Sequence, residues 1–213
     1  MKTISRLHYI TTNEKLAEQA CKGGVNWIQL RLKETPYHEF LKVALATQTV
    51  CKNYGTTLII NDNVDLAKEI GADGVHLGKE DMNPLLARHI FGEDKIIGCT
   101  ANTRSDIKKL SELPIDYIGL GPFRFTTTKK KLGTLLGING FTRVINSLKE
   151  LSIKSVPIIG IGGITQYDIE KISHTGLYGI AVSGAISNAD NIELEAGRFK
   201  MLTDIHFNSK YTN

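Results

Sequence analysis

Eight short apolar runs, each followed by a polar cluster and then an amphipathic stretch, constrain the fold of this chain more than any other feature. The runs are Leu7-His8-Tyr9-Ile10, Trp27-Ile28-Gln29-Leu30-Arg31, Leu58-Ile59-Ile60, Gly74-Val75-His76-Leu77, Ile96-Ile97-Gly98-Cys99, Tyr117-Ile118-Gly119-Leu120, Pro157-Ile158-Ile159-Gly160 and Gly179-Ile180-Ala181-Val182. They are continuous rather than alternating, as strands are in a parallel sheet covered by helices. Helices are expected between them: one from Asn13 to a stop at Gly23-Gly24, then 36–54, 64–70, 84–91, 104–110, 139–151, 166–172 and 192–202. Gly55, Gly71 and Gly92 stand where three of these would end. Residues 207–213 read as a frayed end. Eight strand–helix units of about 25 residues close most economically into an α/β fold, a single (β/α)8 TIM barrel spanning 1–213. A doubly wound open sheet is the runner-up, but it advertises a glycine-rich loop after its first strand, and Thr11-Thr12-Asn13 is no such loop.

Composition narrows the function classes. With 41% hydrophobic and 23% charged residues the chain is an ordinary globular one. A net charge of +4 is too small to argue nucleic-acid binding and suits anionic small substrates. Cys21, Cys51 and Cys99 are odd in number and widely spaced, which fits a reduced, cytoplasmic setting and neither a zinc knuckle nor a disulfide framework. No apolar run reaches the length of a membrane span, and residues 1–6, which run straight into the first expected strand, lack the long apolar core of a signal peptide. The six histidines have no metal-ligand spacing, and His76, inside a strand, reads as a packed barrel residue.

In such a barrel the active site lies at the C-terminal ends of the strands, so those residues are read together. After the second strand, alternation puts Gln29, Arg31 and Lys33 on one face and Leu30 and Leu32 on the other. The three polar groups would grip a phosphate or pyrophosphate, or simply form a wet strand end. Asp62 after the third strand and Asp81 after the fourth suit a Mg²⁺ ion, though each could instead cap the helix that follows it. Thr100, after the fifth, can donate to a phosphate. The loop after the sixth runs Gly121-Pro122-Phe123-Arg124-Phe125-Thr126-Thr127-Thr128-Lys129-Lys130-Lys131, either a polyanion-binding loop or a solvated basic one. Gly162-Gly163 and Val182-Ser183-Gly184 follow the last two strands, where phosphate-binding barrels hold a monophosphate. Two anion sites and a metal imply the joining of two phosphorylated small molecules with loss of pyrophosphate.

Gln29-x-Arg31-x-Lys33, Asn61-Asp62, Gly74-Val75-His76-Leu77-Gly78-x-x-Asp81, Gly121-Pro122 with Thr126-x-Thr128-Lys129, and Gly162-Gly163-Ile164 together resemble the thiamine phosphate synthase family. The resemblance covers nearly the whole chain and implies coupling of 4-amino-2-methyl-5-(diphosphooxymethyl)pyrimidine with thiazole phosphate, giving thiamine phosphate and pyrophosphate. It implies that the Gln29-Leu30-Arg31-Leu32-Lys33 segment, Asn61, Thr100 and Lys129 surround the pyrimidine diphosphate, with Arg31, Lys129 and Thr100 in the catalytic role. It further implies Mg²⁺ on Asp62 and Asp81, and the thiazole phosphate on Thr126, Thr127, Thr128, Gly163, Val182 and Ser183. A dissociative reaction is implied, in which pyrophosphate departs before the thiazole nitrogen attacks.

Two positions depart from the family pattern: Thr100 stands where Ser is usual and Asn102 where His is common. The related thiazole tautomerase relies on a His in that segment and need not keep the diphosphate and metal residues. A non-catalytic phosphate-binding barrel, a sugar-phosphate isomerase using Glu80 and an RNA-binding barrel also compete with the synthase reading. The partners implied are the two small phosphorylated substrates, with neither nucleic acid nor membrane; a homo-oligomer is left open.

Overall fold

The strands pair in chain order, each parallel to the next, and the last returns to the first to close a barrel. They are β1 (Leu7–Thr11), β2 (Trp27–Leu30), β3 (Thr57–Asn61), β4 (Gly74–Leu77), β5 (Ile96–Ala101), β6 (Tyr117–Leu120), β7 (Ile158–Ile161) and β8 (Gly179–Val182). Helices connect them: α1 (Glu14–Lys22), α2 (Tyr37–Tyr54), α3 (Val64–Glu69), α4 (Pro84–Phe91), α5 (Arg104–Leu110), α6 (Gly137–Glu150) and α7 (Ile169–Ser173). Two more, α8 (Gly184–Ser187) and α9 (Ile192–Asn208), follow β8. This computed structural model describes residues 2–125, 134–153 and 155–208. The (β/α)8 barrel expected from the apolar runs is the fold observed.

The pleat of each strand sorts its side chains into two buried populations. Tyr9, Ile28, Ile60, Val75, Ile97, Ile118 and Ile180 face outward and pack with helix residues such as Ala17, Phe40, Leu66, Phe141 and Phe199. Ile10, Trp27, Ile59, Ile96, Tyr117, Ile159 and Ala181 form a separate cluster in the lumen. Because both faces are dry, the strands read as continuous apolar runs in the sequence.

Large and small residues alternate across the lumen. The rings of His8 and Trp27 stack at 4.2 Å between centroids, and Tyr117 meets both edge-on. Room for Tyr117 comes from Gly98 on the neighbouring strand: a Cβ there would lie 2.0 Å from the tyrosine Cζ. Gly119 similarly faces His76, whose Cε1 would stand 3.2 Å from an added Cβ. His8 is buried among these rings with Nε2 donating to the Ser5 carbonyl at 2.9 Å. Burial makes its charged form so costly that the pKa falls from 6.5 to about 3.

Several helices begin on short polar caps. The side chains of Asn13, Asn63, Asn83 and Thr103 accept from main-chain N–H groups in the first turns of α1, α3, α4 and α5. Helix α2 ends on Gly55, whose φ of 62° is the left-handed conformation glycine tolerates best. The structure also departs from the sequence expectation. Helix α6 starts two residues early, a 3-10 turn (Gln166–Asp168) precedes α7, and α8 was not anticipated. Phe207 is not frayed: it is 2% exposed on α9, held there by its apolar packing. The Gly23-Gly24 pair does more than stop α1, because a Cβ on Gly23 would lie 2.4 Å from the Glu193 carbonyl of α9.

The N-terminal rim of the barrel is closed by a polar hub. Arg88, 6% exposed, donates to Asp116 Oδ2 at 2.7 Å and to the carbonyls of Gly92 and Pro114. Asp116 also accepts from the Ile97 amide and from Lys2. This hub lies at the opposite end of the strands from the polar groups described next.

Two stability outcomes follow from the lumen. Gly98→Ala forces a side chain into the Tyr117 ring and is expected to cost at least about 1–3 kcal/mol in urea unfolding. His8 is neutral when folded but charges when unfolded, so it lowers stability as pH falls from 6.5 toward about 3. The slope is about 1.4 kcal/mol per pH unit in that window, and unfolding of His8→Gln is expected to show a shallower acid dependence.

Candidate active site

A cavity of about 640 Å³ opens at the C-terminal ends of the strands. Its floor carries four polar side chains from four consecutive strands: Gln29 on β2, Asn61 on β3, His76 on β4 and Thr100 on β5. Gln29 Nε2 donates to Asn61 Oδ1 at 2.8 Å, with both residues buried. His76 is engaged on both ring nitrogens, Nδ1 with the Tyr117 hydroxyl at 3.0 Å and Nε2 with Thr100 Oγ1 at 2.9 Å. The sequence reading of His76 as mere packing is therefore incomplete: it lines the cavity and fixes two neighbours. Its position on the inward pleat at a strand end was the available signal.

Above the floor, one wall carries both charge signs. Arg31 and Lys33 follow β2 and line the cavity with Asp62 and Asp81. Lys33 forms an ion pair with Asp62. Asp62 has φ of 66°, an uncommon left-handed backbone for a non-glycine residue, fixed by its N–H donating to the His76 carbonyl at 2.8 Å. The possibility that Asp62 and Asp81 cap helices is overturned, since Asn63, the next residue, and Asn83, two residues on, supply those caps. Asp81 instead accepts from the Gly78 amide at 2.6 Å. Burial and the neighbouring Asp62 carboxylate push the Asp81 carboxyl up, against the pull of the Gly78 N–H and Lys33. Two close carboxylates that repel each other suit a divalent cation, which would relieve that repulsion. No cluster of three or more His, Cys, Asp or Glu occurs among the described residues, so such a cation would need water and ligand oxygens to complete its shell.

The other wall is main chain. Gly162 and Gly163 have φ of 108° and 65°, and a Cβ on Gly162 would lie 2.9 Å from Pro122, so only glycine lets the loop after β7 approach the loop after β6. The two loops are joined by Phe123 N–H to Ile161 O (2.8 Å) and Arg124 N–H to Gly162 O (2.9 Å). Arg124 then reaches across with a two-pronged pair to Asp168, both contacts 2.7 Å, and a bond to Gly163 O at 3.0 Å. Burial alone would raise Asp168, but Arg124 and Thr165 outweigh it and hold the carboxyl below its usual range. Nothing in the sequence pointed to Arg124. Val182, Ser183 and Gly184 at the end of β8 complete this side.

The structure thus brings Gln29, Arg31, Lys33, Asn61, Asp62, Asp81, Thr100, Gly163, Val182 and Ser183 around one cavity. Leu30 and Leu32 must be taken out of the substrate-binding set as side chains. Leu30 is fully buried in the outer core and Leu32 packs against that core, because the pleat turns both away from the lumen. Thr126, Thr127, Thr128 and Lys129 lie outside the described residues. Glu80 stands exposed at the cavity rim, and Asn102 donates to the Gly121 carbonyl at 2.5 Å. Cys99 is buried, its thiol pushed up to about 12, and is no nucleophile.

A (β/α)8 barrel with cations, paired carboxylates and glycine-lined loops at its C-terminal face defines a phosphate-handling TIM-barrel enzyme. Residues 3–186 match the family model described as thiamine monophosphate synthase, and the chain belongs to that family. It is 50% identical over 186 residues to the thiamine-phosphate synthase of Phocaeicola vulgatus, covering 87% of this chain and 89% of that one. To the thiamine-phosphate synthase of Flavobacterium psychrophilum it is 46% identical, covering 88% and 93%. Among solved structures it matches thiamine phosphate pyrophosphorylase from Pyrococcus furiosus with a TM-score of 0.83 at 25% identity, covering 94% and 96%. No helix among the described residues is long and apolar enough to cross a membrane.

Arg124→Ala is expected to cost about 1 kcal/mol of stability, the pair being partly exposed. Its local signature is faster amide hydrogen exchange at Phe123 and Arg124 than in the wild type.

Proposed function

We propose that this chain condenses 4-amino-2-methyl-5-(diphosphooxymethyl)pyrimidine with thiazole phosphate to release pyrophosphate and thiamine phosphate. The observation that carries the reading is the division of one cavity into two walls. One holds Arg31, Lys33, Asp62 and Asp81; the other holds Gly162, Gly163 and Ser183. The first suits a diphosphate with a divalent cation, and the second a monophosphate.

In this reading Gln29 and Asn61 hold the pyrimidine over the cavity floor, while Arg31, Lys33 and Thr100 bind the diphosphate. Thr126, Thr127, Thr128, Gly163, Val182 and Ser183 receive the thiazole phosphate. Asp62 and Asp81 would hold Mg²⁺, which would supply positive charge against the diphosphate. Arg31 and Lys129 stabilise the growing negative charge as pyrophosphate leaves. The thiazole nitrogen then attacks the pyrimidine methylene carbon; the walls hold the two reactants in register, which is where much of the rate arises. That nitrogen carries no proton, so the step needs no general base.

Thiazole tautomerase is the weaker reading. The segment that would carry its His has Asn102, whose amide is engaged with the Gly121 carbonyl. The test is a coupled assay with both phosphorylated precursors, with and without Mg²⁺. Metal-dependent formation of thiamine phosphate and pyrophosphate is the expected result. No product, with isomerisation of a thiazole carboxylate phosphate instead, would move the chain to the tautomerase branch. Asp62→Ala and Lys129→Ala are each expected to lower kcat by about 10²-fold or more with unfolding midpoints close to wild type. A near-normal rate in either variant removes that residue from its role.

A further inference from the structure

Tyr117 sits one layer below the cavity and lies outside the binding set assigned above, yet its hydroxyl is linked to the cavity floor through His76. The order of protons along this chain follows from counting donors. Tyr117 is 1% exposed, and its one hydrogen bond among the described residues is with His76 Nδ1 at 3.0 Å. Burial raises the phenol well above its usual range, so the hydroxyl keeps its proton. A buried O–H with a single partner donates to it, because leaving the donor unmade forfeits its full desolvation cost. His76 Nδ1 is then a bare acceptor. With Nδ1 accepting, the ring hydrogen lies on Nε2, 2.9 Å from Thr100 Oγ1. Thr100 therefore accepts from His76, and its own hydrogen turns elsewhere.

We propose that Tyr117 and His76 are positioning residues that set the polarity of Thr100, holding its hydroxyl as a donor directed into the cavity toward an anionic oxygen. The opposite order, Thr100 to His76 to Tyr117, would strand the Tyr117 proton and present a lone pair to the anion. Two glycines make the arrangement possible, Gly98 beside the Tyr117 ring and Gly119 beside the His76 ring. The aim toward an anion rests on the diphosphate reading above; the proton order does not.

The test has two arms. In ligand-free protein labelled with ¹⁵N in histidine, long-range ¹H–¹⁵N correlation reports the tautomer of His76, assigned by its loss in His76→Gln. A hydrogen on Nε2 with bare Nδ1 is expected; a hydrogen on Nδ1, or on both nitrogens, overturns the proposal. In the second arm, inorganic pyrophosphate is titrated calorimetrically with Mg²⁺ present. Thr100→Val and His76→Leu are each expected to weaken binding by about 10- to 100-fold, and the double variant to weaken it no further than Thr100→Val alone. His76→Gln, whose amide can still donate to Thr100, is expected to regain most of the loss. Additive losses, or no recovery with Gln, overturn the positioning role. Failure of the wild type to bind pyrophosphate sinks the diphosphate reading, while the tautomer still decides the proton order. Should His76→Leu fail to fold, Tyr117→Phe takes its place: weakened pyrophosphate binding is expected, and wild-type binding overturns the role.

Discussion

A closed ring of eight parallel strands leaves a lumen that only its own side chains can fill. Nearly everything else in the molecule follows from how that space is divided. In the lower layer, His8, Trp27 and Tyr117 pack ring against ring, and Gly98 on the adjoining strand gives way to Tyr117. In the upper layer, the inward positions switch to Gln29, Asn61, His76 and Thr100, and the packed interior becomes the floor of a site. On β2 and β3 the change from apolar to polar takes two residues, from Trp27 to Gln29 and from Ile59 to Asn61. The cavity therefore has a rigid base, and its chemistry is supported by the same contacts that stabilise the barrel.

Charge is kept apart from this base and managed at the rim. Arg31, Lys33, Asp62 and Asp81 face one another across the ends of β2 to β4, with the ion pair of Lys33 and Asp62 already formed. The opposite wall uses main-chain geometry, secured by the clamp from Arg124 to Asp168. A second ionic hub, Arg88 with Asp116, closes the far end of the barrel where no substrate group is needed. The Arg88–Asp116 hub and the charged residues of the cavity thus sit at opposite ends of the same strands.

Much of this was legible in the sequence, for identifiable reasons. The dry faces of a parallel barrel leave continuous apolar runs, so the strands announced themselves, and among the described residues the motifs at the ends of β2 to β5, β7 and β8 line one cavity because the topology gathers strand ends. What could not be read was long-range partnership. For Asp62 and Asp81 a helix-cap role stood open beside the metal one, because the sequence does not show that Asn63 and Asn83 supply those caps. Leu30 and Leu32 entered the binding set through their neighbours, although the pleat carries them outward. Arg124 has a role only because Asp168 comes to meet it from another loop, and Phe207 is ordered only because α9 docks on the barrel.

The glycines of the lumen also bear on how this barrel can drift. Gly98 and Tyr117 share a single volume across two paired strands, and Gly119 gives way to His76 across β5. Neither member of a pair can grow unless the other shrinks, so these sites are expected to change together or not at all along a lineage. A compensated exchange that moved the bulk from position 117 to position 98 could leave the barrel intact yet remove the hydroxyl beneath His76. Sequences that score as well-folded members of the fold could in this way have lost the polarity of the floor without any change at the residues that face the ligand.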